Sequence, residues 1–374
     1  MVKLGNVLLR YSVMIFMLHV IIWSSNNYKL IVMADVPAIF VFGDSTVDVG
    51  TNNYLHGSLA TANNPYYGID YPHHVATGRF SNGYNPADFI ARHLGDYTES
   101  PPAFLALVQK QSTFKSGILR GANFASAGSG ILDDTGNQGF HNVTSLTRQI
   151  EQFQTVCGNI TQILGDVKGS KLIANAFYFL SVGSNDFFDQ FRFNYNISTP
   201  ELVADLSDTF TIHLQNLYNL GARKFGICGI PTIGCLPGIR AVTPGGACNE
   251  TLNGYAQIFF NTTLSLLQDF SSANPGMNFS LGNYFLMTTG VIDNPVASGF
   301  VEVEAACCGT GPYKGVYKCT QNSDVCKKRD EYLFWDWFHP TQKASEMAAL
   351  SLLYATGQEF VTPINFTTLA TIQH

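Results

Sequence analysis

Charge is scarce in this chain. Of 374 residues only 13% are Asp, Glu, Lys or Arg, with no extended basic patch. With a net charge of −6, that scarcity argues against nucleic acid and an anionic membrane surface as partners. No run of charge and no Pro/Ser-rich linker divides the chain, so residues 35–374 are expected to form one large domain with a sizeable core. Gly-x-Gly-x-x-Gly does not occur, which removes the dinucleotide fingerprint. The cysteines include no Cys-x-x-Cys pair, which disfavours zinc at Cys307, Cys308, Cys319 and Cys326. The longest apolar run, Tyr11 to Trp23, is short for a membrane span. It follows the basic residues Lys3 and Arg10 and precedes a small residue in Val32-Met33-Ala34, so residues 1–34 read as a signal peptide. A secreted protein without a stable membrane anchor is the expectation.

Two counts agree with an oxidising, glycosylating compartment. Seven Asn-x-Ser/Thr sequons start at Asn142, Asn159, Asn196, Asn249, Asn261, Asn278 and Asn365, and all are glycosylation candidates. Eight cysteines, Cys157, Cys228, Cys235, Cys248, Cys307, Cys308, Cys319 and Cys326, are an even number suited to disulfides. Cys228 lies in an apolar, strand-like run and reads as a buried thiol, which leaves Cys157 as the other unpaired cysteine.

Apolar β-formers from Ala38 to Phe42 predict a buried strand that stops at Gly43. Ser45 then falls just past a strand end, where open α/β sheets gather their reactive groups. Two later strands repeat the design. Gly121 to Ile131 runs from a short strand into small residues around Gly128, which allow backbone N–H groups a close approach. Ala176 to Gly183 ends in Ser184-Asn185-Asp186. Further strands are predicted at Lys224 to Pro231 and Asn278 to Phe285. Helices are predicted at Pro86 to Leu94, Leu146 to Leu164, Pro200 to Leu220 with Thr199 as cap, Leu252 to Phe270 and Gln342 to Tyr354. This alternation predicts a parallel sheet with helices on both faces.

Late in the chain Asp336 and His339 stand three apart, before a proline that fixes the loop. Asp44, Asp48 and Asp186 read as capping or loop-holding residues. Asp70, His73 and His74 read as surface residues of a Pro/Tyr-rich loop rather than as metal ligands. Ser45, Gly128, Asn185, Asp336 and His339 together are the parts that ester hydrolysis requires: a nucleophile, a base, an acid that orients the base, and donors for the oxyanion.

From about Ala38 to Ala355 the chain resembles a plant-type GDSL esterase/lipase of the SGNH hydrolase superfamily. The blocks that carry the resemblance are Phe42-Gly-Asp-Ser-Thr-Val-Asp-Val-Gly50, with Thr46 where the name-giving Leu stands, Gly121 to Gly128, Val182-Gly-Ser-Asn-Asp186 and Asp336-Trp-Phe-His339. Thr77-Gly-Arg-Phe-Ser-Asn-Gly83, Pro231 to Pro237 and Cys307-Cys-Gly309 are similar to the plant branch as well. An α/β-hydrolase lipase is disfavoured because no Gly-x-Ser-x-Gly elbow occurs.

The resemblance implies an α/β fold, three-layer α/β/α, with a central, mostly parallel, flavodoxin-like sheet of about five strands. It implies Ser45, His339 and Asp336 as catalytic residues, and Ser45, Gly128 and Asn185 as oxyanion donors. Metal and cofactor are not required. The substrates it implies are lipid acyl esters or acetylated cell-wall polysaccharide. Acyl transfer through the same acyl-enzyme, or binding of lipid or polysaccharide without turnover, are the alternatives. The substrate pocket walls are expected in the loops from Asn52 to Tyr71 and from Phe285 to Gly311.

Overall fold

The computed structural model describes residues 36–193, 195 and 197–374. The predicted signal peptide and the Asn196 sequon lie outside the described residues. Apolar runs become strands: β1 (Ile39–Gly43), β2 (Gly121–Asn123), β3 (Phe177–Ser181), β4 (Lys224–Cys228) and β5 (Asn278–Gly282). They pair in parallel in the order β2-β1-β3-β4-β5, with Ile39 opposite both Gly121 and Phe177, and Lys224 opposite Phe177 and Asn278. Strands this apolar must be covered on both faces, and alternation along β1 shows how. Phe40 and Phe42 join one core, while Ile39 and Val41 join the other.

Helices α1 (Pro86–Leu94), α2 (Leu146–Leu164), α3 (Ser184–Phe193), α4 (Thr199–Asn219), α5 (Glu250–Ala273), α6 (Tyr284–Asp293), α7 (Gln342–Tyr354) and α8 (Phe366–Thr371) supply the covers. The apolar stripes of α2, α4 and α5 meet Phe40, Phe42, Tyr178 and Phe225. Those of α1, α7 and α8 meet Ile39, Val41, Phe177 and Phe179. The result is the expected three-layer sandwich. At the start of α4 the cap is one residue earlier than predicted. Ser198 accepts from the Glu201 N–H, Glu201 accepts from the Ser198 N–H, and Thr199 is the first helical residue. That reciprocal pair satisfies two orphan N–H groups at once.

Two additions complete the fold. Beyond Ala355 the chain returns to the sheet, where Val361 pairs antiparallel with Gly282 as a sixth, edge strand. Phe366 of α8 then packs against the rings of Phe177 and Phe179.

The second addition is an excursion before α7. Numbered along the chain it holds β6 (Glu302–Ala306), β7 (Cys308–Gly309), β8 (Asp324–Val325) and β9 (Tyr332–Phe334), and the edge strand is β10 (Val361–Thr362). Disulfides Cys307–Cys326 and Cys308–Cys319 staple the excursion, and Cys235–Cys248 closes a loop after β4. Cys157 and Cys228 are the free, buried thiols, as the sequence implied.

Candidate active site

Ser45 is placed by a turn that the sequence can make only with glycine at its start. Gly43 has φ +143°, and a Cβ there would fall 2.0 Å from the Ser181 carbonyl oxygen of β3. The backbone therefore crosses close over β3, and Asp44 N–H donates to that same Ser181 oxygen (3.1 Å). Asp44 folds back to accept from the N–H and hydroxyl of Thr46. Asp48 accepts from the N–H groups of Gly50 and Thr51 (2.7 Å each). The two carboxylates thus hold the turn that presents Ser45; they do not cap a long helix after it, because only a short 3-10 turn (Thr51–Tyr54) follows.

Asp336 and His339 reach Ser45 from the far end of the chain. His339 Nε2 lies 2.8 Å from Ser45 Oγ, and His339 Nδ1 lies 2.7 Å from Asp336 Oδ1. Asp336 is fully buried, and its oxygens are well supplied with donors. Oδ1 accepts from the N–H groups of Phe338 (3.0 Å) and His339 (2.9 Å), and Oδ2 accepts from the Tyr67 hydroxyl (2.7 Å). Although burial opposes ionisation, the neighbouring His339 and these donors hold the Asp336 carboxyl below the usual carboxylate range. Tyr67 itself is pushed well above its ordinary value, first by burial and then by the adjacent Asp336 charge. Phe80 lies beside the imidazole, with ring centres 4.7 Å apart. A bidentate Arg79–Asp88 pair ties the segment carrying Phe80 to the first turn of α1.

Gly128 sits in the left-handed region, φ +88°, in the loop after β2. Two buried carboxylates grip that loop from either side. Asp48 Oδ2 accepts from Ala127 N–H (3.0 Å), whereas Asp186 accepts from the N–H groups of Ile131 and Leu132 and from the Thr135 hydroxyl. Burial pushes both Asp48 and Asp186 up to about 6, against those hydrogen bonds. Asn185, in the first turn of α3, donates one amide N–H to Ser129 O (2.9 Å), which leaves its second N–H to point elsewhere. Among the described residues, the backbone N–H groups of Ser45 and Gly128 donate to no other protein group.

Three residues of this framework were not singled out from the sequence. Tyr67 lay in the loop read as a pocket wall, and nothing local tied it to Asp336, 269 residues away. Asn52 joins the turn to the Gly128 loop, donating to Ala127 O and accepting from Ser126 Oγ. Gln149 clamps Gly43 from α2, accepting from its N–H (2.8 Å) and donating to its carbonyl (2.9 Å). A polar residue on the buried face of an amphipathic helix was the available signal for Gln149.

Asp70 is paired with Arg329, and His74 Nδ1 faces the Ile69 carbonyl. No group of three or more His, Cys, Asp or Glu among the described residues is arranged to hold a metal. Cys307, Cys308, Cys319 and Cys326 are paired with one another as disulfides. The cavity beside the site takes Met287, Thr288, Val291 and Phe300 from the later segment, and the loop from Asn52 to Tyr71 turns inward through Tyr67 to support Asp336.

A parallel sheet in the order 2-1-3-4-5, with its polar constellation at the carboxyl ends of β1, β2 and β3, is an α/β/α architecture of the kind that carboxylic ester hydrolases share with other α/β proteins. Comparison of the chain with known proteins agrees: it matches the GDSL-like Lipase/Acylhydrolase family over residues 39–352 and belongs to that family. In Arabidopsis thaliana it is similar to GDSL esterase/lipase At5g18430, 37% identical over 88% of this chain and 91% of that one. It is similar also to GDSL esterase/lipase At4g28780, 38% identical over 89% of this chain and 90% of that one. GDSL esterase/lipase LTL1 is 36% identical over 88% of this chain and 90% of its own length.

Proposed function

We propose that this ester hydrolase works as a secreted serine enzyme, with Ser45 as nucleophile, His339 as base and Asp336 as the acid that orients it. The observation that carries the reading is the continuous hydrogen-bonded chain from Ser45 Oγ through His339 to Asp336. His339 Nε2 takes the Ser45 proton as Oγ bonds to the ester carbonyl carbon, while Nδ1–H stays on Asp336. The tetrahedral oxyanion is bound by the N–H groups of Ser45 and Gly128 and the side-chain amide of Asn185. The loss of one such donor typically lowers turnover about 10²–10³-fold. Collapse of the tetrahedral intermediate breaks the bond to the alcohol, which leaves with the proton from His339. Water then attacks the acyl-enzyme, gives its proton to His339 and releases the acid, and Ser45 recovers its proton.

Residues 1–34 act as the signal peptide and residues 35–374 as a single hydrolase domain. Three disulfides support an oxidising destination, and no described helix is long and apolar enough to cross a membrane. Of the described sequons, Asn142 and Asn261 are the exposed ones and so the best placed for a glycan. Asn159, Asn249, Asn278 and Asn365 are half-buried, and Asn365 donates its amide to Ala355 O.

The test is labelling by a serine-reactive fluorophosphonate together with hydrolysis of short p-nitrophenyl esters. Native protein should label and turn over, and Ser45→Ala should abolish labelling and lower kcat at least about 10³-fold. Hydrolysis undiminished in Ser45→Ala would overturn the assignment.

A further inference from the structure

Ser129 follows Gly128, is fully buried, and has every polar group engaged. Its Oγ donates to Gly43 O (2.8 Å), 86 residues away, and accepts from Gln149 Nε2 (3.2 Å). Its carbonyl accepts the Asn185 amide (2.9 Å), and its N–H donates to Ser126 O (3.1 Å). One residue therefore touches the start of the Ser45 turn, the side chain of Asn185 and the loop of Gly128.

Gly43 O does not need that hydroxyl to be satisfied. A carbonyl oxygen has two lone pairs, and Gly43 O already accepts from Ser126 N–H (3.0 Å) and Gln149 Nε2 (2.9 Å). Gln149 Nε2 in turn has Thr144 O (3.0 Å) as a further acceptor. What the Ser129 hydroxyl adds is a fixed spacing between the glycine that opens the nucleophile turn and the residue next to Gly128.

That spacing has no other side chain to set it in the middle of the loop. Asp48 grips the loop before Gly128, at Ala127 N–H, and Asp186 grips it after Gly130, at the N–H groups of Ile131 and Leu132. Between those grips Gly128 and Gly130 have no side chain to bond with, and Ser129 does. The bond from Asn185 to Ser129 O also orients the amide plane, and with it the direction of the second N–H. Donors stabilise an oxyanion when they stand about 2.7–3.1 Å from it. A misplacement of about 1 Å can lower the rate about 10²-fold.

We propose that Ser129 is a positioning residue for ester hydrolysis, its hydroxyl holding the Gly128 loop and the Asn185 amide at a fixed distance from the Ser45 turn so that the oxyanion donors converge on one point. The assignment rests on the reading of Ser45, Gly128 and Asn185 as those donors and adds the residue that sets their spacing. Gln149 serves the same arrangement from α2, since its amide meets Gly43 and the Ser129 hydroxyl at once.

The test measures kcat and KM for p-nitrophenyl butyrate, and affinity for trifluoroacetophenone, in the full-length secreted protein. That ketone bonds to Ser45 Oγ at its carbonyl carbon while the hydroxyl proton passes to His339, which leaves an oxyanion among the donors and no leaving group. Ser129→Ala removes the hydroxyl and leaves Gly43 O its two other donors. It should lower kcat at least about tenfold with KM changed less than about twofold, and weaken ketone binding by the factor seen in kcat. In an Asn185→Ala background the Ser129→Ala penalty should shrink at least about threefold, because the amide it positions is gone. Ser129→Cys, with only a weak S–H donor, should show the same pattern and carries the test if Ser129→Ala does not fold. Lower stability in urea with kcat and ketone affinity unmoved, or an equal Ser129→Ala penalty in both backgrounds, would overturn the positioning role while a loss of kcat in Asn185→Ala alone left the oxyanion reading standing. Native kcat in Asn185→Ala would overturn that reading instead.

Discussion

Tyr67 shows how much of this site depends on a single distant side chain. Its hydroxyl is the donor to Asp336 Oδ2, in a place that water does not reach, and its ring lies edge-on to Trp335. Removing the hydroxyl leaves a buried carboxylate oxygen without its donor, which costs about 1–3 kcal/mol. It also withdraws a group that favours the charged form of Asp336. Tyr67→Phe should therefore lower kcat/KM by about tenfold, with kcat falling more than KM rises. The extreme acid end of the pH–kcat/KM profile, where Asp336 itself protonates, should move to higher pH as Asp336 becomes easier to protonate. Loss of thermal stability with an unmoved pH profile would show that Tyr67 only fills space.

Among the elements, the disulfide-stapled excursion has the most direct hold on the loop that carries Asp336 and His339. Cys307 N–H donates to Phe334 O and Cys308 N–H to Trp335 O, so the residues immediately before Asp336 hang from two cysteines. Cys308–Cys319 closes 11 residues and Cys307–Cys326 closes 19. Loop entropy gives each bridge roughly 3 kcal/mol. Cys308→Ala/Cys319→Ala should lower the stability by about that amount, measured by denaturant unfolding, and should also reduce kcat through the loosened Asp336 loop. Unchanged kcat at full occupancy of the native state would show that the excursion and the loop are mechanically independent. Gly43 is the matching element at the other end of the site, where β1 and β3 come too close for any Cβ.

At the scale of the whole molecule, the buried carboxylates shape the response to pH. Asp48 and Asp186 rise from 3.8 to about 6 on folding, so the native state binds their protons more tightly than the unfolded chain. That stability is complete below pH 3.8 and is lost as pH rises through about 6, at roughly 3 kcal/mol for each group. Asp336 is lowered, so its contribution is present above pH 3.8 and is lost only as the pH falls through its lower folded value. His213 and His93 are lowered by burial, and their contributions fade as pH falls below 6.5. A difference measurement removes these common contributions. Between pH 7 and pH 4, native protein should gain on Asp186→Asn by about 2 kcal/mol in urea unfolding, because the variant lacks the titrating group. A difference that stays flat across that range would show that Asp186 remains ionised in the folded state.

Local chemistry determined much of this by itself. Five parallel strands, their helices and the two free thiols follow from hydrophobic period and from cysteine count and burial, which act over a few residues. Ser45, Gly128, Asn185, Asp336 and His339 were legible because each sits where a short motif meets a strand end or a proline-fixed loop. Only the tertiary structure decided what those groups touch. Tyr67 meets Asp336, Asp48 meets Ala127, Gln149 meets Gly43, and Val361 closes the sheet edge on Gly282. Each of these contacts joins segments 79 to 269 residues apart, and such pairings leave no periodic trace in the chain because they are set by how the packed layers bring loops together.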